Sequence, residues 1–180
     1  MRRFRKKYEG PFKPWDYQLL MDELKLLGEY GLKNKRELRR AATLLKKFRT
    51  IARQAYGLPE KEKREVEKTL VGKLNRMGIL NEDASLDDVL RLEVKDILER
   101  RLQTLVYRKG LAKSIYMARQ MVVHRHIVVG DRVEDRPGRI IYRDEEDKIG
   151  IRPGSPYSDP NHPIWKEGYE NVEGEAAEEG

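Results

Sequence analysis

Three groups of side chains in this 180-residue chain have types and spacing that chemistry could use. His124 and His126 stand two apart, which a strand would align and a helix would splay, and no third ligand clusters with them. That makes a poor zinc site. Ser114 has no base placed by sequence to activate it, so a hydrolase triad lacks support. The run Asp144-Glu145-Glu146-Asp147 has no EF-hand spacing around it and reads as a solvated hairpin turn. Walker and Rossmann glycine patterns are absent. With no cysteine there is no disulfide, thiolate metal site or thiol nucleophile. What remains is charge: 38 Lys and Arg against 31 Asp and Glu, a formal net charge of +7.

The charge is segregated. Residues 1–56 hold 16 basic and 6 acidic side chains, and residues 57–97 hold 8 and 10. Residues 98–152 hold 13 and 8, and residues 153–180 hold 1 and 7. Two basic blocks thus flank a nearly neutral one, with an acidic tail after them. Such blocks fit a polyanion, because Lys and Arg release condensed counterions when they neutralise phosphates. A thermophile-type ion-pair surface also produces many charges, but segregation by sign argues against it. The length allows one or two modest domains. No run of about 18 apolar residues is present and the start lacks an apolar signal region, so a soluble intracellular protein without a membrane partner is expected.

The elements that must position these cations follow from periodicity. Residues 1–15 interleave Arg3, Lys6 and Lys7 with Phe4, Tyr8, Phe12 and Trp15, and read as an extended arm able to meet phosphates and stack on bases. Leu20, Leu24 and Leu27 suggest a short helix ended by Gly28 and Gly31. Asn34 offers an N-cap with Glu37 as its capping-box partner. In the helix that follows, Leu38, Ala41, Leu45, Phe48, Ala52 and Ala55 form one apolar seam. Arg36, Arg40 and Lys47 lie opposite it, and Lys35, Arg39, Lys46 and Arg53 make a row on one flank, with Glu37 alone to answer them. Something anionic should lie against that helix. A third helix over residues 60–77 buries Val66, Leu70, Leu74 and Met77, and Ser85 with Asp88 caps a short fourth.

From Leu98 the pattern changes. Leu98, Leu102, Leu105 and Val106 make one apolar face ending at Gly110, and Ser114 opens a helix with Ile115, Ala118 and Val122 inward. Short β-rich runs follow at Ile127-Val128-Val129, Ile140-Ile141-Tyr142 and Ile149-Gly150-Ile151, with Gly130-Asp131 suited to a type II′ hairpin. The fold class expected is α+β: an arm (1–15), a helical domain (16–97), a small domain of two short helices plus an antiparallel sheet (98–152), and a C-terminal extension with an acidic tail (153–180).

Several stretches resemble a known family. Glu99-Arg100-Arg101-Leu102-Gln103-Thr104-Leu105-Val106-Tyr107, Lys109-Gly110-Leu111-Ala112-Lys113-Ser114, Ala118-Arg119-Gln120 and His124-Arg125-His126-Ile127 resemble the RNA-binding domain named after small-subunit ribosomal protein four, the S-four family. Upstream, Arg5-Lys6-Lys7-Tyr8-Glu9, Pro14-Trp15, Tyr30 to Leu38 and Lys47-Phe48-Arg49 look like the archaeal and eukaryotic form of that family, as does Ser155-Pro156-Tyr157 downstream. The resemblance covers roughly residues 5–157. It implies a non-enzymatic, cytoplasmic constituent of the small ribosomal subunit that binds small-subunit ribosomal RNA, nucleates assembly and supports translational accuracy. The implied neighbours are ribosomal protein five and other small-subunit proteins. Carried over by position, the RNA-facing helix is Lys113 through Arg125, with Lys113, Ser114, Tyr116, Arg119, Arg125 and His126 as contacts and Arg100, Arg101 and Lys109 bordering them. The α-helical cations Lys35, Arg36, Arg39, Arg40, Lys46, Lys47, Arg49 and Arg53 join this set, with Arg3, Lys6 and Lys7 of the arm.

Two departures stand out. Arg125 occupies a position where many such domains have Gly, and a non-Gly residue in the left-handed region costs on the order of 1 kcal/mol. The zinc-binding cysteines of bacterial relatives are absent, so no metal or other cofactor is expected. An RNA-modifying enzyme or a free-standing RNA chaperone using the same small domain is the alternative, but the helical half offers no catalytic motif.

Overall fold

The computed structural model describes residues 7–159 together with His162 and Trp165. Arg3 and Lys6 of the arm and the acidic tail lie outside the described residues. The helical half comprises α1 (Tyr17–Glu29), α2 (Lys35–Ala55), α3 (Glu60–Arg76), α4 (Leu86–Arg91) and α5 (Val94–Glu99). Asp16 caps α1 by accepting from the Gln18 and Leu19 N–H groups, and Asn34 caps α2 by accepting from the Glu37 N–H. The Glu37 carboxylate does not complete the expected capping box; it points across the molecule instead. The six α2 seam residues are all buried, packed with Tyr30, Leu70, Leu74, Val89, Ile97 and Leu98 in one apolar core.

The α1 seam differs from the spacing expected. Leu24 is exposed, and Glu23 takes the buried position beside Leu26 and Leu27. The helix also runs through Gly28 to Glu29, with the reversal made at Gly31, φ 54°. The apolar run from Leu98 likewise forms two helices rather than one. The first ends at Glu99 and α6 (Leu102–Arg108) begins after Arg101. The break occurs because the Leu102 and Gln103 N–H groups donate to the Arg139 and Pro137 carbonyls, and Arg101 bridges Ile140. A distant segment has captured the backbone groups that a continuous helix would use.

A second apolar core contains Leu102, Leu105, Val106, Ala118, Met121, Val122, Ile127, Ile141 and Ile149. Against it lie α7 (Ile115–Val123), β1 (Ile127–Val129), β2 (Arg132–Val133) and β3 (Ile149–Ile151) in an antiparallel sheet of order β2-β1-β3. Register pairs Val128 with Val133 on one side and with Gly150 on the other. Gly130 has φ 61° and Asp131 does not share that region, as a type II′ turn requires. Ile140-Ile141-Tyr142 is not a sheet strand, and Asp144-Glu145-Glu146 belongs to the single helical turn α8 (Arg143–Glu146) rather than to a hairpin. The fold is therefore α+β, mostly helical with a three-stranded sheet.

Candidate nucleic-acid interface

Eight of the proposed cations lie on α2, and the fold sorts them. Lys35 and Arg39 converge on Glu23, Nζ to Oε2 at 2.9 Å and Nε to Oε1 at 3.4 Å. Lys46 pairs with Glu9, whose N–H also donates to Thr43 Oγ1 at 3.0 Å, so the arm runs along this flank. Arg49 turns into the core and donates to the Leu92 carbonyl. Arg36, Arg40, Lys47 and Arg53 are left exposed, with no ion-pair partner among the described residues. Cations that answer one another's neighbours cannot all answer RNA. Three of the open four, Arg36, Arg40 and Lys47, lie opposite the buried seam, and Arg53 lies on the flank.

The small domain is sorted in the same way. Ser114 caps α7, its Oγ accepting from the Met117 N–H at 3.1 Å, which places Lys113 beside a helix start whose free N–H groups favour an anion. Tyr116 is 58% exposed and shares the outward face with Gln120 and Val123. Arg125 adopts φ 63°, with its N–H donating to Val122 and that of His126 to Met121. This is a Schellman closure of α7 built on arginine rather than glycine. The Arg125 side chain remains 68% exposed and lies 3.5 Å from Asp135. His126 is half-buried: its Nδ1 lies 3.0 Å from Ser155 Oγ and its ring packs edge-on to Tyr157 at 4.9 Å. Burial, with Arg152 and His124 nearby, holds its imidazole below the usual range. No group of three metal-ligating side chains exists among the described residues.

Three arginines expected at this surface turn inward. The Arg100 side chain is 13% exposed and pairs with Glu146 at 2.8 Å. Arg101 is 6% exposed and paired with Glu37. Arg119 grips the same Glu37 with both terminal nitrogens, 2.6 and 3.2 Å, and donates to Gln103 Oε1 at 3.1 Å. Lys109 is held by the Glu146 carbonyl and lies 3.9 Å from Asp147. The acidic run is thus partly engaged with cations rather than merely solvated.

Sequence reasoning missed the centre of this network. Gln103, fully buried, donates to the carbonyls of Tyr30, Gly31 and Ile115 at 3.3, 3.0 and 3.1 Å. Glu23 could have been found, since it stands three after Leu20 and four before Leu27 on the inward face. Nothing local marks Gln103. Between α2 and the 135–140 loop the fold leaves a cleft of about 630 Å³ bordered by Arg40, Arg101, Arg119, Arg136 and Arg139, with Glu37 and Asp135 as its acids. Open cations on α2 and an outward α7 face therefore flank a guanidinium-rich junction. The arrangement can bind an extended polyanion and shows no assembly of nucleophile, base and oxyanion donors among the described residues.

The description "S4 domain" matches residues 100–147 of this chain. Over 156 residues, 87% of this chain and 94% of the relative, it is 52% identical to the small ribosomal subunit protein uS4 of Ignicoccus hospitalis. It is 49% identical to the protein of the same name from Metallosphaera sedula, with 96% of both chains covered. The uS4 protein of Nanoarchaeum equitans is 50% identical over 171 residues, 92% of this chain and 93% of that one.

Proposed function

The chain belongs to the uS4 family of small-ribosomal-subunit proteins, and from that premise we propose that it binds small-subunit ribosomal RNA through two cationic surfaces. It is a non-enzymatic structural component. The helical unit, residues 16–97, contributes Arg36, Arg40, Lys47 and Arg53, and the S4-type unit, residues 98–152, contributes Lys113, Tyr116 and Arg125. Lys7 extends the first surface along the arm. In this reading the chain nucleates assembly of the subunit body, sits in the cytoplasm beside ribosomal protein five and other subunit proteins, and supports translational accuracy. No helix among the described residues is long and apolar enough to cross a membrane.

The observation that carries the reading is the sorting on α2. Four cations of α2 are neutralised or held internally, and four exposed ones have no ion-pair partner among the described residues. Like charges at helical spacing repel, and a phosphate backbone removes that repulsion. Changing Arg36, Arg40 and Lys47 together to Ala is expected to flatten the dependence of log affinity on log salt by about 2–3 units. Filter binding to a transcript of small-subunit ribosomal RNA measures this, with duplex DNA as competitor. An unchanged slope refutes their role.

A further inference from the structure

Glu37 belongs to the helical unit, yet both of its partners belong to the other one: Arg101 just before α6 and Arg119 in the middle of α7. Arg119 continues to Gln103, and Gln103 to the α1–α2 turn at Tyr30 and Gly31 and to the first residue of α7. Four elements meet in one closed polar junction. The turn is fitted to it, since a Cβ on Gly31 would lie 2.9 Å from Gln103 Nε2 and from the Ile115 side chain. Paired, hydrogen-bonded and mostly out of water, such a network has one good geometry and many poor ones.

Resting on the RNA-binding reading above, we infer that Glu37 is a positioning residue for RNA: it fixes the distance and angle between the open cations of α2 and the outward face of α7. A carboxylate that contacts no phosphate then strengthens binding to a polyanion. Two linked contact surfaces held at the right spacing bind together far better than the same surfaces on a loose joint.

The sign of one substitution separates this from simple electrostatics. Glu37→Gln removes a negative charge beside five arginines, so charge alone predicts tighter RNA binding. Positioning predicts the reverse, a dissociation constant about tenfold higher on the ribosomal RNA transcript. Because the chain lacks cysteine, spin labels at Gln54→Cys and Val123→Cys, both exposed, report the α2–α7 distance directly. A narrow distribution in the full-length chain is expected to broaden in Glu37→Gln. Unchanged or tighter RNA binding overturns the inference, as does weaker binding with an unchanged distribution. Should Glu37→Gln fail to fold, Glu37→Asp keeps the charge and shortens the reach: electrostatics then predicts unchanged affinity, positioning a loss. If the unsubstituted chain shows no preference for the transcript over duplex DNA, the proposed function fails. The distance measurement still tests the junction.

Discussion

A carboxylate clasped by two cations loses both when it takes a proton. Glu23 holds Lys35 and Arg39, and Glu37 holds Arg101 and Arg119. Burial opposes ionisation of each, but hydrogen bonds and charge from the paired cations outweigh it and hold both carboxyls below the ordinary value of 4.5. Folded-state values lower than unfolded ones mean that the stabilisation is complete above the ordinary carboxylate range and drains away as pH falls through the depressed values. Thermal melts should therefore fall modestly from pH 7 to about 5, where the His126 ring resists the proton that the unfolded chain takes up, and decline more steeply below. Glu37→Gln should decline less steeply, and an equal slope would exclude Glu37 as a contributor. The Gln103→Leu change leaves the Tyr30, Gly31 and Ile115 carbonyls and one Arg119 N–H without that partner. It should cost about 2–4 kcal/mol in urea unfolding. At this scale the sequence shows which residues are charged but not which charges meet. Arg39 and Arg53 share one flanking row in the helical pattern, and the approach of Glu23 from α1 reaches Arg39.

At the scale of elements, much of the local structure is legible in the sequence. The α2 seam, the Asn34 and Ser114 caps, the Ser85–Asp88 box and the Gly130 turn all follow from spacing or from the chemistry of one residue. Two of the departures share a cause. Leu98 to Val106 has helical spacing throughout, yet residues 137–141 pair with the backbone of 100–103 and split it. The same pairing removes Ile140 to Tyr142 from the sheet. A contact spanning some forty positions cannot be inferred from either segment alone. Arg125 offers an element-level test. Gly at this αL closure relieves a penalty of about 1 kcal/mol and should raise the melting temperature by about 2–4 °C. A lower melting temperature would show that the Arg125–Asp135 pair outweighs the backbone cost.

At the scale of the molecule, two apolar cores are joined through a junction that is polar at its centre. Hydrophobic packing does not distinguish small rotations as sharply as directional hydrogen bonds do, so the relative setting of the halves rests on a few side chains. Unfolding in urea is expected to be a single transition for the parent chain. For Gln103→Leu it should separate into two, read as non-coincident circular dichroism and Trp fluorescence curves. Coincident curves would mean that the two cores cooperate without the junction. The family was legible from motif order, because those motifs are local. The coupling between the parts was not, because its members come from four separate stretches of chain.

The cations bordering the central cleft are all arginines: Arg40, Arg101, Arg119, Arg136 and Arg139. Guanidinium groups do not react with the acylating reagents that cap amines, whereas Lys47 on the open helix does. Exhaustive acetylation of the purified protein would thus neutralise the lysine share of its outer surface and leave the arginines of this cleft chemically untouched. Amine reactivity thus divides the open cations of α2, Lys47 from Arg36, Arg40 and Arg53, while every guanidinium of the cleft stays charged.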